Sequence, residues 1–223
     1  MQTRLILASR SPRRIEALAA LGLTFETIPS QVEASLPAPV HPADPVPVAL
    51  AKAQDIAGRH PDAIVLGGDT IVVVDGQALG KPADAAEARA MLRALRGREH
   101  VVRTAVAVVA GRRSESAEVA CPLLMRAYAD DEIERYDATG EPLDCAGAYD
   151  VHRLGGALVA EVRGCFSTVV GLPIVQAAAM LERAGVRVPN DPAAVCSRLY
   201  GRTCLAAHAA TAGACRAKVR SSE

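Results

Sequence analysis

The chain has 223 residues, half of them hydrophobic, with 25 Lys and Arg balanced by 25 Asp and Glu. That length suits one soluble domain, or one domain with a tail, and is enough to bury a core. The formal charge of zero, the 3% aromatic content and the lack of Trp exclude bulk electrostatic binding to nucleic acid or an anionic membrane, and a base-stacking platform.

The N-terminal run 4–9, "RLILAS", reads as a short buried strand. Ser11 fits an N-cap and Pro12 a first helical position, opening a helix that Gly22 closes. "LTFETIP" (23–29) alternates as a second strand, 34–47 is a Pro- and Ala-rich loop, and 47–60 is a helix. In "AIVLGGDTIVVVDGQALGKP" (63–82) two β-branched runs flank Gly67-Gly68-Asp69-Thr70, and Asp75-Gly76 signals a hairpin. Residues 84–97 form a helix ended by Gly97, followed by two paired strands in "EHVVRTAVAVVAG" and "SAEVACPLLMRAYA". "DDEIERYDATG" (130–140) is a helix with acidic residues in its first turn, as the helix dipole prefers. "GALVAEVRG" and "CFSTVVGLP" suggest two more strands, and "IVQAAAMLERAG" a last helix. The elements mix without strict strand–helix alternation, which predicts an α/β or α+β fold with a mixed sheet. From residue 187 the composition shifts to small residues with a basic end, so 1–186 is expected to be the working domain and 187–223 an extension, helical in part or disordered.

No run reaches the ~18 apolar residues of a membrane span, and Leu5–Ser9 is shorter than a signal-peptide core. Six cysteines, at 121, 145, 165, 196, 204 and 215, include no CxxC pair. The expectation is a cytoplasmic protein with reduced thiols and neither nucleic-acid nor membrane partners.

Arg13 and Arg14 stand in a first helical turn, where cations are mildly unfavourable unless an anion compensates. An amino end of a helix with two guanidinium groups suits phosphate. Asp69, behind two glycines, could orient a water or hold a divalent cation, and Lys81 in "LGKP" could join a phosphate site. Each alone is as readily an ordinary turn or surface residue. Glu33 and Lys52 say nothing individually, and His152 lies among small residues in "AGAYDVHRLGG". No Walker A, GxGxxG, HExxH or GxSxG sequence is present. The residues themselves reach a phosphate-handling α/β protein.

In order and spacing, "LILASRSPRRIEALAALGLTFETIPSQVE", "LAKA", "VLGGDTIVVVDGQALGKPADAAEARAMLRALRGREHVVRTAVAVV", "YDATGEPLDCAGAYDV" and "GCFSTVVGLPI" resemble the Maf family of nucleoside triphosphate pyrophosphatases over about residues 4–186. The resemblance implies a mixed α/β fold like that of inosine triphosphate pyrophosphatases, with an elongated sheet and a cleft between two lobes. It implies a homodimer and a divalent cation, Mg²⁺ or Mn²⁺, and a nucleoside triphosphate as substrate, split into a monophosphate and diphosphate. By position, Asp69 matches the family's proton acceptor, with Asp69 and Glu33 as metal-holding carboxylates. Ser9, Arg13, Arg14, Glu33, Lys52 and Lys81 match its other polar cleft residues.

Base choice in the family's dTTP/UTP branch goes with Arg, Thr and Gln, which align here with Arg13, Thr70 and His152. Two of three match, so dTTP/UTP is the expected substrate pair. Cys145-Ala146-Gly147 leans instead toward the 7-methyl-GTP branch. Neutral His offers one donor and one acceptor, in a geometry that cannot copy the bidentate contact of Gln, nor the carboxylate of the Glu used by that second branch. A non-catalytic nucleotide-binding regulator of septum formation is the alternative of a different class.

Overall fold

The computed structural model describes residues 4–32, 43–204 and 218–222. An eight-stranded mixed sheet, flanked by helices, carries the fold. Its path runs β2 (Glu26–Thr27), β1 (Arg4–Leu7), β3 (Ala63–Val74), β5 (Glu99–Ala110), β6 (Arg113–Met125) and β7 (Val159–Val162). The short β4 (Gln77–Leu79) pairs with β3, and β8 (Lys218–Ser222) with β6. β1 runs parallel to β2 and β3, and the remaining pairs are antiparallel.

Side-chain alternation along β1 explains its unbroken apolar run. Leu5 and Leu7 face one core, with Ile64 and Leu66 of β3, while Ile6 and Ala8 face another, with Ala63 and Val65. A strand buried on both faces reads as continuously hydrophobic. Helices α1 (Pro12–Ala20), α6 (Ile174–Arg183) and α7 (Pro192–Tyr200) cover the first face, and α2 (Val46–Arg59) covers the second. Beyond Asp69 the same long strands enter a separate core. There Val72, Val102 and Leu123 pack with Leu92 and Leu95 of α3 (Ala85–Leu95) and Ile133 of α4 (Asp130–Asp137). β3, β5 and β6 therefore run through both lobes, and the seam between the cores falls at the middle of β3.

The two β-branched runs around "GGDT" form one 12-residue strand, not two. The ladder to β5 continues through Gly67↔Ala107, Gly68↔Val106 and Asp69↔Ala105. At Gly67 a Cβ would lie 2.4 Å from the Ala49 carbonyl oxygen and 2.9 Å from the Ala53 nitrogen, so the glycine admits helix α2, not a turn. The Asp75-Gly76 hairpin forms as expected, with φ of 50° and 76°.

Other expectations need correction. "CFSTVV" does not extend: Phe166–Val170 is a one-turn helix, α5, closed by Gly171 at φ 112°. The Ser167 hydroxyl accepts from the Ile174 amide and the Thr168 carbonyl accepts from Thr104, so tertiary hydrogen bonds override the β propensity of the run. The stretch before Val159 is 3-10 turn, and only two residues of "LTFETIP" are strand. The helix in "IVQAAAMLERAG" is not the last, since α7 follows; its Val195 and Cys196, with Cys204 beyond it, pack into the same core as Leu18, Leu21 and Leu181. Cys215 lies outside the described residues.

Two stability results follow. Gly67→Ala on β3 should lower unfolding free energy by about 2 kcal/mol through overpacking, while Gly58→Ala on the facing helix α2, with nothing within 4 Å of the added Cβ, should raise it by up to ~1 kcal/mol. Urea midpoints at unchanged slope are the measurement. His100 is buried, with Nε2 2.7 Å from the Tyr149 hydroxyl, and its pKa is lowered to about 4, burial outweighing a backbone contact near Arg98. Between pH 4 and 6.5 the unfolded chain binds the extra proton, so stability rises with pH across that window and is lost as pH falls through it. His100→Gln should flatten this slope, worth at most ~3 kcal/mol, in unfolding curves taken from pH 4 to 7.

Candidate active site

A cleft of 710 Å³ opens at the seam, within the size range of ligand pockets. Its walls are the β1–α1 corner, the middle of β3, Lys52 of α2, Lys81 and segment 144–151.

Asp69 stands at its floor with only 13% of its side chain exposed, and its Oδ1 accepts from Lys52 Nζ at 2.9 Å. The tight contact at Gly67 explains this pairing. Because Ala49 and Ala53 sit against the strand backbone, Lys52, on the intervening turn, is close enough to reach Asp69. The charge-assisted bond fixes the carboxylate's direction.

Gly68 serves a second approach: its added Cβ would lie 3.2 Å from Arg14 Nε. The Arg14 guanidinium donates from Nε to the Gly171 carbonyl (2.8 Å), from Nη1 to Ser9 Oγ (3.2 Å) and from Nη2 to Thr70 Oγ1 (3.1 Å). Ser9 Oγ also accepts from the Ser11 amide at 3.2 Å, while Ser11, the N-cap by position, makes no side-chain cap bond and no side chain among the described residues caps α1. Beyond Thr70 the proton order is determined. Thr104 has one hydroxyl proton and gives it to the Thr168 carbonyl at 2.7 Å, so at the 3.0 Å Thr70–Thr104 contact Thr70 is the donor. The Thr70 oxygen thus accepts from Arg14 and donates to Thr104.

Arg13 reaches the opposite wall. Nη1 donates to Asp150 Oδ2 at 2.8 Å and contacts Cys145 Sγ at 3.6 Å, and Nη2 donates to the Asp144 carbonyl at 3.4 Å. Burial disfavours the Arg13 charge, but Cys145 and Asp150 more than offset it and its pKa rises. Burial also pushes the Cys145 thiol up to about 11 against the pull of Arg13, so it stays protonated at neutral pH. Asp150 is 4% exposed, and its Oδ1 accepts from the His152 amide at 3.0 Å. Lys81 pairs with Asp144 at the exposed rim.

The structure thus gathers Ser9, Arg13, Arg14, Lys52, Asp69, Thr70 and Lys81 around one cleft. His152 is placed otherwise: Val151 lines the cleft, whereas the His152 ring packs edge-on against Tyr200 at 5.2 Å and Phe166 at 6.5 Å. Glu33 lies outside the described residues. Sequence reasoning did not find Thr104 or the Gly171 carbonyl. A Thr that interrupts the Val/Ala run of β5 was the available signal for the first; a backbone acceptor leaves none.

A family model described as Maf-like protein matches residues 4–184. A dTTP/UTP pyrophosphatase of Pelotomaculum thermopropionicum is 43% identical over 187 residues, covering 82% of this chain and 98% of that protein. Those of Anaeromyxobacter dehalogenans (strain 2CP-1) and Moorella thermoacetica are each 47% identical, over 85% and 83% of this chain and 98% and 97% of their own lengths. A solved HAM1 protein from Coxiella burnetii aligns with a TM-score of 0.41 and 20% identity over 57% of this chain and 75% of its own. With the model spanning most of its length and relatives of this similarity matched almost end to end, the chain belongs to the Maf-like protein family.

Proposed function

We propose that this chain is a nucleoside triphosphate pyrophosphatase, hydrolysing dTTP and UTP to the nucleoside monophosphate and diphosphate. The observation that carries the reading is Asp69, aimed by Lys52 at the floor of a cleft whose rim is cationic. Relatives named dTTP/UTP pyrophosphatase support the substrate pair.

In this reading the triphosphate lies between the amino end of α1 and Lys81. The uncapped helix end offers backbone donors and dipole to phosphate oxygens. Among the described residues Lys81 is held by one exposed, screened ion pair, so exchanging Asp144 for a phosphate costs little. Arg14, whose acceptors among the described residues include Ser9, Thr70 and the Gly171 carbonyl, keeps the β1–α1 corner and β3 in register and adds positive potential. A water attacks the α-phosphorus and its proton passes to Asp69. The bond between that phosphorus and the α–β bridging oxygen breaks, and diphosphate leaves with its charge stabilised by the cationic rim.

The donor chemistry fits a divalent cation of the Mg²⁺ type. Among the described residues no cluster of three or more His, Cys, Asp or Glu forms a protein cage, and Mg²⁺ is commonly held by one or two carboxylates plus substrate phosphates. Asp69, with Glu33 as the resemblance implies, would hold it, and it would supply charge neutralisation at the phosphates. A cytoplasmic setting is supported by five described cysteines that are all free thiols, and a homodimer by the family resemblance alone; the mass in solution reports the latter. Among the described residues no helix is long and apolar enough to cross a membrane.

A non-catalytic regulator would release no diphosphate. Asp69→Asn, close to isosteric, should keep the fold with a urea midpoint lowered by the loss of the counter-charge to Lys52, and in the folded protein should reduce diphosphate release with Mg²⁺ by about 10²-fold or more. Near-parental turnover in that variant removes Asp69 from the role of base. Across dTTP, UTP, CTP, GTP and 7-methyl-GTP, kcat/KM should be highest for the first two; a preference for 7-methyl-GTP overturns the substrate assignment but not the reaction.

A further inference from the structure

Three rings from distant parts of the chain meet behind the 150–153 turn. Tyr200, the last residue of α7, lies 5.2 Å from the His152 ring at 87° and 5.2 Å from the Phe166 ring at 49°. The Arg202 guanidinium covers the Phe166 face at 4.9 Å. α7 lies beyond residues 4–184, the part that the family model matches. It is nevertheless fixed in place: Val195 and Cys196 are buried against Leu18 and Leu181, and Asp191 caps its first turn by accepting from the Ala194 amide.

What this cluster holds is part of the cleft. Asp150, two residues before His152, carries the ion pair to Arg13 and also accepts from the His152 amide, while Val151 lines the cleft. Phe166 begins α5, whose Thr168 carbonyl ends the hydrogen-bond chain from Arg14. The His152 ring, at a position the family resemblance links to base choice, is engaged from behind by Tyr200 rather than turned to a ligand. Edge-to-face ring pairs add a factor of roughly two to ten beyond burial, enough to set the population of one loop position.

We infer that Tyr200 is a positioning residue for the nucleoside end of the cleft: α7 acts as a strut that, through His152, fixes the 150–153 turn and so sets affinity for the base. The inference rests on the pyrophosphatase reading for its kinetic arm and on the loop geometry alone for its structural arm. Removing the ring should loosen base contacts and leave chemistry at the α-phosphorus untouched.

The test compares Tyr200→Ala, Tyr200→Phe, His152→Ala and the Tyr200→Ala/His152→Ala double variant, each first checked for its melting temperature. Tyr200→Ala should raise KM for UTP by about two- to tenfold, the range that a ring pair of this energy allows, with kcat within about twofold. Selectivity between UTP and CTP should fall, and inhibition by diphosphate, which has no base, should not change. Tyr200→Phe keeps the ring and should restore KM. In KM the double variant should fall short of the product of the two single effects, since both remove the shared Tyr200–His152 contact while each also loses its own contact to Phe166. Independently of substrate, hydrogen exchange at amides 151–154 should quicken in Tyr200→Ala and not in Tyr200→Phe. A lowered melting temperature with kcat reduced and KM unchanged, or unaltered exchange at those amides, overturns the strut. If the parent protein hydrolyses no nucleoside triphosphate, the proposed function falls, and the exchange comparison alone decides the strut.

Discussion

The guanidinium of Arg14 is the contact on which the rest of the site depends. One planar group bonds the β1–α1 corner through Ser9, the strand β3 through Thr70 and the α5–α6 connection through Gly171. Three donors in a fixed fork hold these three segments at set distances, which a lysine on a flexible stem could not do. Gly68 is the condition for it, since a side chain there would press on Nε. The chain Arg14–Thr70–Thr104 then carries the same constraint across β5 to the Thr168 carbonyl of α5, with the Thr70 and Thr104 protons both assigned, while the Thr168 hydroxyl itself is buried without a partner among the described residues. Hydrogen bonds in series at low dielectric strengthen one another and rigidify the segments they join.

The second organising fact is the continuity of three strands through two hydrophobic cores. β3 passes from Leu66, in the core under α1 and α6, to Val72, in the core under α3, and between them presents Asp69 and Thr70 to the seam. The cleft is therefore where neither core closes over the sheet. Arg13 crosses it to Asp150 and Lys81 closes its rim on Asp144, so the opposite walls are tied by charge while the floor is tied by backbone.

Much of this was legible in the sequence where local chemistry and global fold agree. Ser-Pro at 11–12, the β-branched runs of β3, β5 and β6, Asp75-Gly76 and the helix in 130–140, which the structure ends at Asp137, are each readable from residue types alone. The failures have a common physical origin. "GGDT" reads as a break because glycine signals a turn, yet here the glycines are needed so that α2 and Arg14 can approach a straight strand. "FSTVV" reads as strand because its β-branched residues favour extension, yet two hydroxyls and Gly171 turn it into a helix. The Arg13–Asp150 pair joins positions 137 apart, and no spacing rule reaches that far. The cleft residues were gathered by the family resemblance; their partners, Thr104 and the Gly171 carbonyl, belong to tertiary structure.

The small residues beneath α2 have a consequence for how this protein can change. Ala49, Ala53 and Gly67 leave the helix closer to the strand than larger side chains would, and that closeness is what lets Lys52 reach Asp69. Filling this interface with bulkier apolar residues is an ordinary route to greater thermal stability, but here it would lift the helix and withdraw the ammonium from the carboxylate. In the mechanism proposed above, thermostability and turnover are thus set against one another at a single helix–strand contact. Variants selected for heat resistance are expected to collect their substitutions elsewhere, on α3, α4 and the outer strands.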